Sequence, residues 1–223
     1  MRSSARRSTP TLPACRAGCR RVSPELILAG LVDIASRWKA VAIAWHAYFG
    51  LGALALLAGL RPPARLAALA LVAPVFSVAV LAALARNPFN GGLLALSGIV
   101  LAALAARIGP QPIAIARGWP LGAGLLLLAF GWAYPHFLGS ESWFVYLYRA
   151  PLGLVPCPTL SAVVGTTLML GNFGSRAWPL VLAALGLFYG VFGAAVLGVA
   201  IDWVLAAGAA ALAISGFRPA GAR

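Results

Sequence analysis

Four consecutive residues, Pro156-Cys157-Pro158-Thr159, set a thiol between two prolines, with a hydroxyl beside it and Ser161 close behind. Proline removes a backbone donor and interrupts regular helix. A thiol in such a segment has a setting in which soft metals bind or thiols exchange. The same residues serve equally as a structural entry to an apolar segment, with cysteine as a small filler and threonine bonding to backbone. Asp202 is the acid placed at membrane depth. An ionisable group there marks a ligand or ion site by default, although its place after Gly198 also suits a helix N-cap. His46, within Ala44-Trp45-His46-Ala47-Tyr48, reads as a ligand, a proton carrier or a hydrogen-bonded core residue. His136 follows Tyr134-Pro135 and reads as a solvated interface residue. Joining His46, His136 and Cys157 would make a metal site, but no local spacing supports it.

These residues need elements to hold them, and composition says where those elements live. The chain has 223 residues, 62% hydrophobic and 9% charged. Soluble domains carry about 25% charged residues because their surface must be solvated. So few charges cannot coat a water-facing surface, and an all-α bundle embedded in lipid is expected, with the bilayer as its principal partner. The net charge of +13 does not point to nucleic acid. Arg2, Arg6, Arg7, Arg16, Arg20 and Arg21 crowd the start, and the remaining cations stand singly or in pairs between apolar runs, where topology signals belong.

A span takes about 20 mostly apolar residues. Seven such runs are present, at 40–60, 66–85, 89–106, 119–138, 152–171, 178–197 and 202–217. Arg61-Pro62-Pro63 closes the first, and Arg86-Asn87-Pro88-Phe89-Asn90 turns between the second and third. Trp119-Pro120 and Trp178-Pro179 each put proline in a first helical turn beside an interfacial Trp. Residues 178–217 hold no Lys or Arg and as one helix would run about 60 Å, so they fold as a hairpin turning near Leu197-Gly198-Val199-Ala200. The shortness of 202–217 leaves a six-span arrangement open. Ser23-Pro24-Glu25 is a helix-start signal, and 23–39 reads as an amphipathic interfacial helix ahead of the bundle 40–217.

Counting cations by alternate loops places Arg61, Arg65, Arg107, Arg117, Arg176 and the tail 218–223 on one side, and only Arg86 and Arg149 on the other. Positive-inside then sets the N-terminus outside and the C-terminus in the cytoplasm of a bacterial inner membrane. The basic leader, 1–22, opposes this. It is expected to be disordered and to precede the native start, with translation beginning near Val22. Cys15 and Cys19 in that leader lack the spacing of a redox or zinc pair. Under this topology His46, Arg86, Asn87, Asn90, His136, Glu141, Arg149, Cys157 and Asp202 gather at the outer rim. Trp143 to Arg149 reads as an aromatic belt segment.

The order of segments over residues 24–215 resembles a bacterial family of small multi-pass membrane proteins, a domain of unknown function with no established activity. The most specific likeness is Gly153-Leu154-Val155-Pro156-Cys157-Pro158-Thr159, similar to the family's Gly-x-x-Pro-Cys-Pro-Thr signature. Asn87-Pro88-Phe89-Asn90, Tyr134-Pro135 and Leu197-Gly198-Val199…Asp202 echo it more weakly. Leu160 stands where the family has a second Thr, and Ala200-Ile201 where it has Pro-Glu. The resemblance implies topology and the importance of the motif, not a reaction.

No Ser/His/Asp set, phosphate loop, His-Glu-x-x-His motif or pair of intramembrane carboxylates is present. The favoured expectation is therefore a non-enzymatic membrane protein that binds or passes a small solute, lipid or ion at the outer rim, with no catalytic residue, metal or cofactor assigned. A thiol- or metal-dependent enzyme centred on Cys157 is the alternative, and a structural or partner-binding subunit a third. Gly/Ala-rich faces also suit a homo-oligomer.

Overall fold

The computed structural model describes residues 23–138 and 142–217. The basic leader with Cys15 and Cys19, Glu141 and the tail 218–223 lie outside the described residues. The architecture is all-α. Helix α1 (Pro24–Arg37) leads through Trp38 into α2 (Lys39–Leu57), followed by α3 (Ala64–Leu84), α4 (Pro88–Ala106), α5 (Trp119–Trp132), the single turn α6 (Tyr146–Arg149), α7 (Pro156–Met169), α8 (Ala177–Val191) and α9 (Trp203–Phe217). Helix α8 continues as a π-helical turn over Phe192–Val196, and a 3-10 turn over Ala200–Asp202 precedes α9.

Among the described residues, five helical stretches are long and apolar enough to cross a membrane: Lys39–Leu57, Ala64–Leu84, Pro88–Ala106, Ala177–Val196 and Ala200–Phe217. The runs 119–138 and 152–171 hold shorter helices than their hydropathy suggests. α5 and α7 have 14 residues each, about 21 Å against a hydrocarbon core of about 30 Å. Proline sets the relevant ends. A residue before proline is pushed out of the helical region, so Tyr134-Pro135 cannot continue α5, which is capped at Ala133. Val155, before Pro156, is extended at φ −123°, and α7 begins at that proline.

Local signals explain the other ends. Ser23 caps α1 by accepting from Leu26 N, and its hydrogen bond to Glu25 holds that exposed carboxyl below the usual carboxylate range. Asn87 caps α4 by accepting from Asn90 N at 3.1 Å. Both helices carry proline in the first turn, where a missing N–H costs nothing.

Small residues let three helix pairs approach backbone to backbone. A Cβ on Gly124 of α5 would lie 2.6 Å from the Gly165 carbonyl of α7, so only glycine fits. On α8, Gly186 and Gly190 meet Ala209 and Ala206 of the antiparallel α9, and Gly91 of α4 meets Ala83 of α3. Lipid offers no hydrophobic drive between helices, and close van der Waals contact takes its place. The fully buried α7 face, including Leu160, Val163, Val164 and Leu168, lies at the centre of the larger of two apolar clusters. Trp45 and Cys157 pack against both clusters and join them.

Candidate functional site

The end of α5, the start of α7, the end of α8 and the start of α9 meet at one end of the bundle, and their polar residues converge there. The Tyr134 hydroxyl donates to Asp202 Oδ1 at 2.6 Å. Tyr134 is 0% and Asp202 1% exposed. Cys157 lies beside the same carboxylate and points its thiol at the Tyr189 carbonyl, 3.9 Å from Sγ. The Tyr189 hydroxyl in turn donates to Asn90 Oδ1 at 3.2 Å. Chain segments from α4, α5, α7, α8 and α9 thus share one polar region.

The backbone is shaped to admit the carboxylate. Gly193 sits in the π-helical turn, and a Cβ there would collide with Asp202 Oδ2. It extends the series Gly186, Gly190, Gly193 on α8, whose counterparts are Ala209, Ala206 and Asp202. Two of those counterparts are alanines, and the third is an acid. π-turns of this kind widen a helix locally and recur at functional sites. Leu197 N donates to Phe192 O at 3.1 Å, closing the wide turn, and Gly198 at φ +73° reverses the chain into α9.

Asp202 differs from the capping arrangement its position suggests. Its amide donates to Val199 O at 2.9 Å inside the 3-10 turn, while its carboxylate turns inward to Tyr134. No cationic side chain is among the partners of that carboxylate in the described residues.

Cys157 stands in the first turn of a continuous helix, not in a break within one. The irregular backbone lies just before it, over 150–155, where Ala150, Leu152, Leu154 and Val155 are all at most 1% exposed. Non-helical backbone at membrane depth persists where protein covers it and satisfies its polar groups. Thr159 does part of this, since its hydroxyl accepts from Gly153 N at 2.8 Å and donates to Val155 O at 2.7 Å. Ser77 does more, taking Trp45 Nε1 at 2.9 Å and donating to Gly153 O at 2.8 Å. Gly153, at φ +73°, lies directly under the Trp45 ring, where a Cβ would clash. Pro156 and Pro158 are buried in the same first turn.

The other polar positions fall elsewhere. His46 is buried, with Nδ1 2.8 Å from Ala42 O and Nε2 2.9 Å from Trp132 O. A neutral imidazole has one N–H, so it donates to one of these carbonyls at a time. His136 is half-buried against Phe137, ring centroids 4.4 Å apart, and also faces Tyr134. Arg86 is exposed in a left-handed turn at φ +56°. Arg149 ends the half-buried α6, and Trp143 and Phe144 before it are 62% and 60% exposed. Among the described residues no three His, Cys, Asp or Glu side chains converge as a metal site would require. The structure therefore brings Cys157 and Asp202 together, joins Asn90 to them through Tyr189, and leaves His46 and Arg86 apart, while Asn87 reaches the site only as the cap on Asn90 N and His136 only as a ring facing Tyr134. Tyr134, Tyr189 and Gly193 complete the site, and only Tyr134-Pro135 among them carried any sequence signal, as a segment end.

No family model, curated protein or solved structure matches this chain. The fold and the side chains carry the functional argument alone: among the described residues, five helices long and apolar enough to cross a membrane and one buried acidic side chain.

Proposed function

We propose that this chain is a non-enzymatic, multi-pass protein of a bacterial inner membrane that binds a small cation at Asp202, on the outer side. One observation carries this reading: a carboxylate buried to 1% exposure whose hydrogen-bond donor is the Tyr134 phenol, with no cationic partner among the described residues. Removing an ionised carboxylate from water without a counter-charge costs at least several kcal/mol. A bound cation relieves that cost, the proton being the smallest. The surrounding groups suit a positive ligand, since the carboxylate, the Tyr134 oxygen, the Cys157 sulfur and the Tyr189 carbonyl all offer lone pairs.

In this reading seven segments cross the membrane, α5 and α7 doing so together with the irregular backbone next to them. The N-terminus is outside and the C-terminus cytoplasmic, as the distribution of arginines favours. Membership of the family with the Gly-x-x-Pro-Cys-Pro-Thr signature belongs to the same proposal. The motif's role in it is to hold Cys157 and the buried entry to α7 against Asp202.

Equilibrium binding of radiolabelled Na⁺ and Rb⁺ to the protein in nanodiscs, with dye-detected proton exchange beside it, tests the reading. Wild type shows a saturable component in one of the three, and Asp202→Asn weakens it about tenfold or more. Equal binding by Asp202→Asn, or none by wild type, overturns it.

A further inference from the structure

A second site lies on the flank of α2, between the buried His46 and the Trp132 ring on one side and the exposed Ile43, Leu51 and Leu54 on the other. Of the five spanning stretches α2 is the least covered by protein, 17% buried against between 33% and 50% for the others. Along it runs a groove of about 450 Å³, open on one side and lined by Ile43, His46, Ala47, Gly50, Leu54 and Trp132. It is shallow and largely open, suited to a chain lying along the surface and not to an enclosed ligand. Ala47 and Gly50 make its floor low, and Ile43, Leu51 and Leu54 are 45%, 67% and 63% exposed along it. The Trp132 indole forms one wall, fixed by its N–H bond to Leu147 O at 2.6 Å.

We propose that this groove holds one acyl chain of a glycerophospholipid whose phosphate sits at Lys39. Lys39 heads the same stripe of α2 as Ile43, Ala47, Gly50 and Leu54, because residues four apart share a helix face. It is exposed and has no hydrogen bond or ion pair among the described residues. The length also fits. From Ile43 to Leu54 the helix advances about 16 Å, close to the roughly 15 Å depth of one leaflet's hydrocarbon. The groove therefore opens one turn below a cation and ends near the bilayer midplane. Tyr148 of α6 closes its side within the exposed aromatic segment that includes Trp143 and Phe144, the residue type that marks the headgroup level.

Native mass spectrometry of the protein released from nanodiscs of phosphatidylglycerol and phosphatidylethanolamine tests this. Wild type is expected to retain a phospholipid. Ala47→Leu, which fills the groove, abolishes retention, and Lys39→Gln lowers it roughly fivefold, the size of one basic side chain's attraction to an anionic headgroup. Both positions are exposed, so circular dichroism of both variants should match wild type. Loss of lipid by wild type, or retention by both variants at the wild-type level, overturns the proposal. So does a Leu51→Cys disulfide dimer formed in the membrane without retained lipid, which would assign the face to a second copy.

Discussion

Tyr134 and Asp202, 68 positions apart in the chain, are joined by a 2.6 Å hydrogen bond with both side chains shut off from solvent. The bond ties the end of α5 to the start of α9 across the mouth of α7. Tyr134→Phe deletes the donor and leaves Oδ1 buried without it, a loss of about 1–3 kcal/mol. Thermal unfolding in nanodiscs should register that loss. Asp202→Asn keeps an acceptor oxygen at the same place and should unfold within a few degrees of wild type. Equal stability of Tyr134→Phe and wild type would mean that the phenol contributes little.

Gly193 makes room for the carboxylate, and the space can be tested by filling it. Gly193→Ala places a methyl on Asp202 Oδ2 and should cost about 1–3 kcal/mol as α8 and α9 separate. Gly52→Ala is the control, because a Cβ there meets nothing within 4 Å. It should gain up to about 1 kcal/mol from helix propensity. Chemical denaturation of the two variants side by side gives the comparison, and similar effects would contradict the packing described.

Thr159 holds the buried backbone before α7. Thr159→Val keeps the shape but strands the Gly153 amide, at a cost of about 1–3 kcal/mol. Thr159→Ser keeps the hydroxyl and should recover most of it. Amide hydrogen exchange over 150–155 should quicken in the valine variant and stay slow in the serine variant.

The proposed topology rests on the distribution of cations. An alkaline phosphatase fused after Asn87 should be active, and one fused after Arg65 inactive. The reverse pattern would place Asp202 on the cytoplasmic side and leave its chemistry unchanged.

Much of the scaffold was legible because it is coded locally. The prolines after Trp119 and Trp178 fall in first helical turns, Asn87 caps the helix it precedes, and the chain reverses at Gly198 between α8 and α9. The shortness of α5 and α7 was less visible, because apolar residues continue past the helix ends and hydropathy does not see where proline stops the backbone. The site itself was legible only in part. Cys157 and Asp202 stood out as types rare in lipid, but their meeting with Tyr134 and Tyr189 depends on helix packing over long separations. Gly193 is one of 25 glycines, and nothing local distinguishes it. Asp202 read as a cap from its neighbours, whereas the tertiary donor from Tyr134 draws its carboxylate inward.

Cation-induced infrared difference spectroscopy on the protein in nanodiscs, wild type against Asp202→Asn, addresses the buried carboxylate itself. Titration with protons, Na⁺ or K⁺ should shift a carboxyl band in wild type, and that band should be missing from the Asp202→Asn difference spectrum. An unchanged band in Asp202→Asn, or no carboxyl shift in wild type with any of the three, would contradict cation binding at this site.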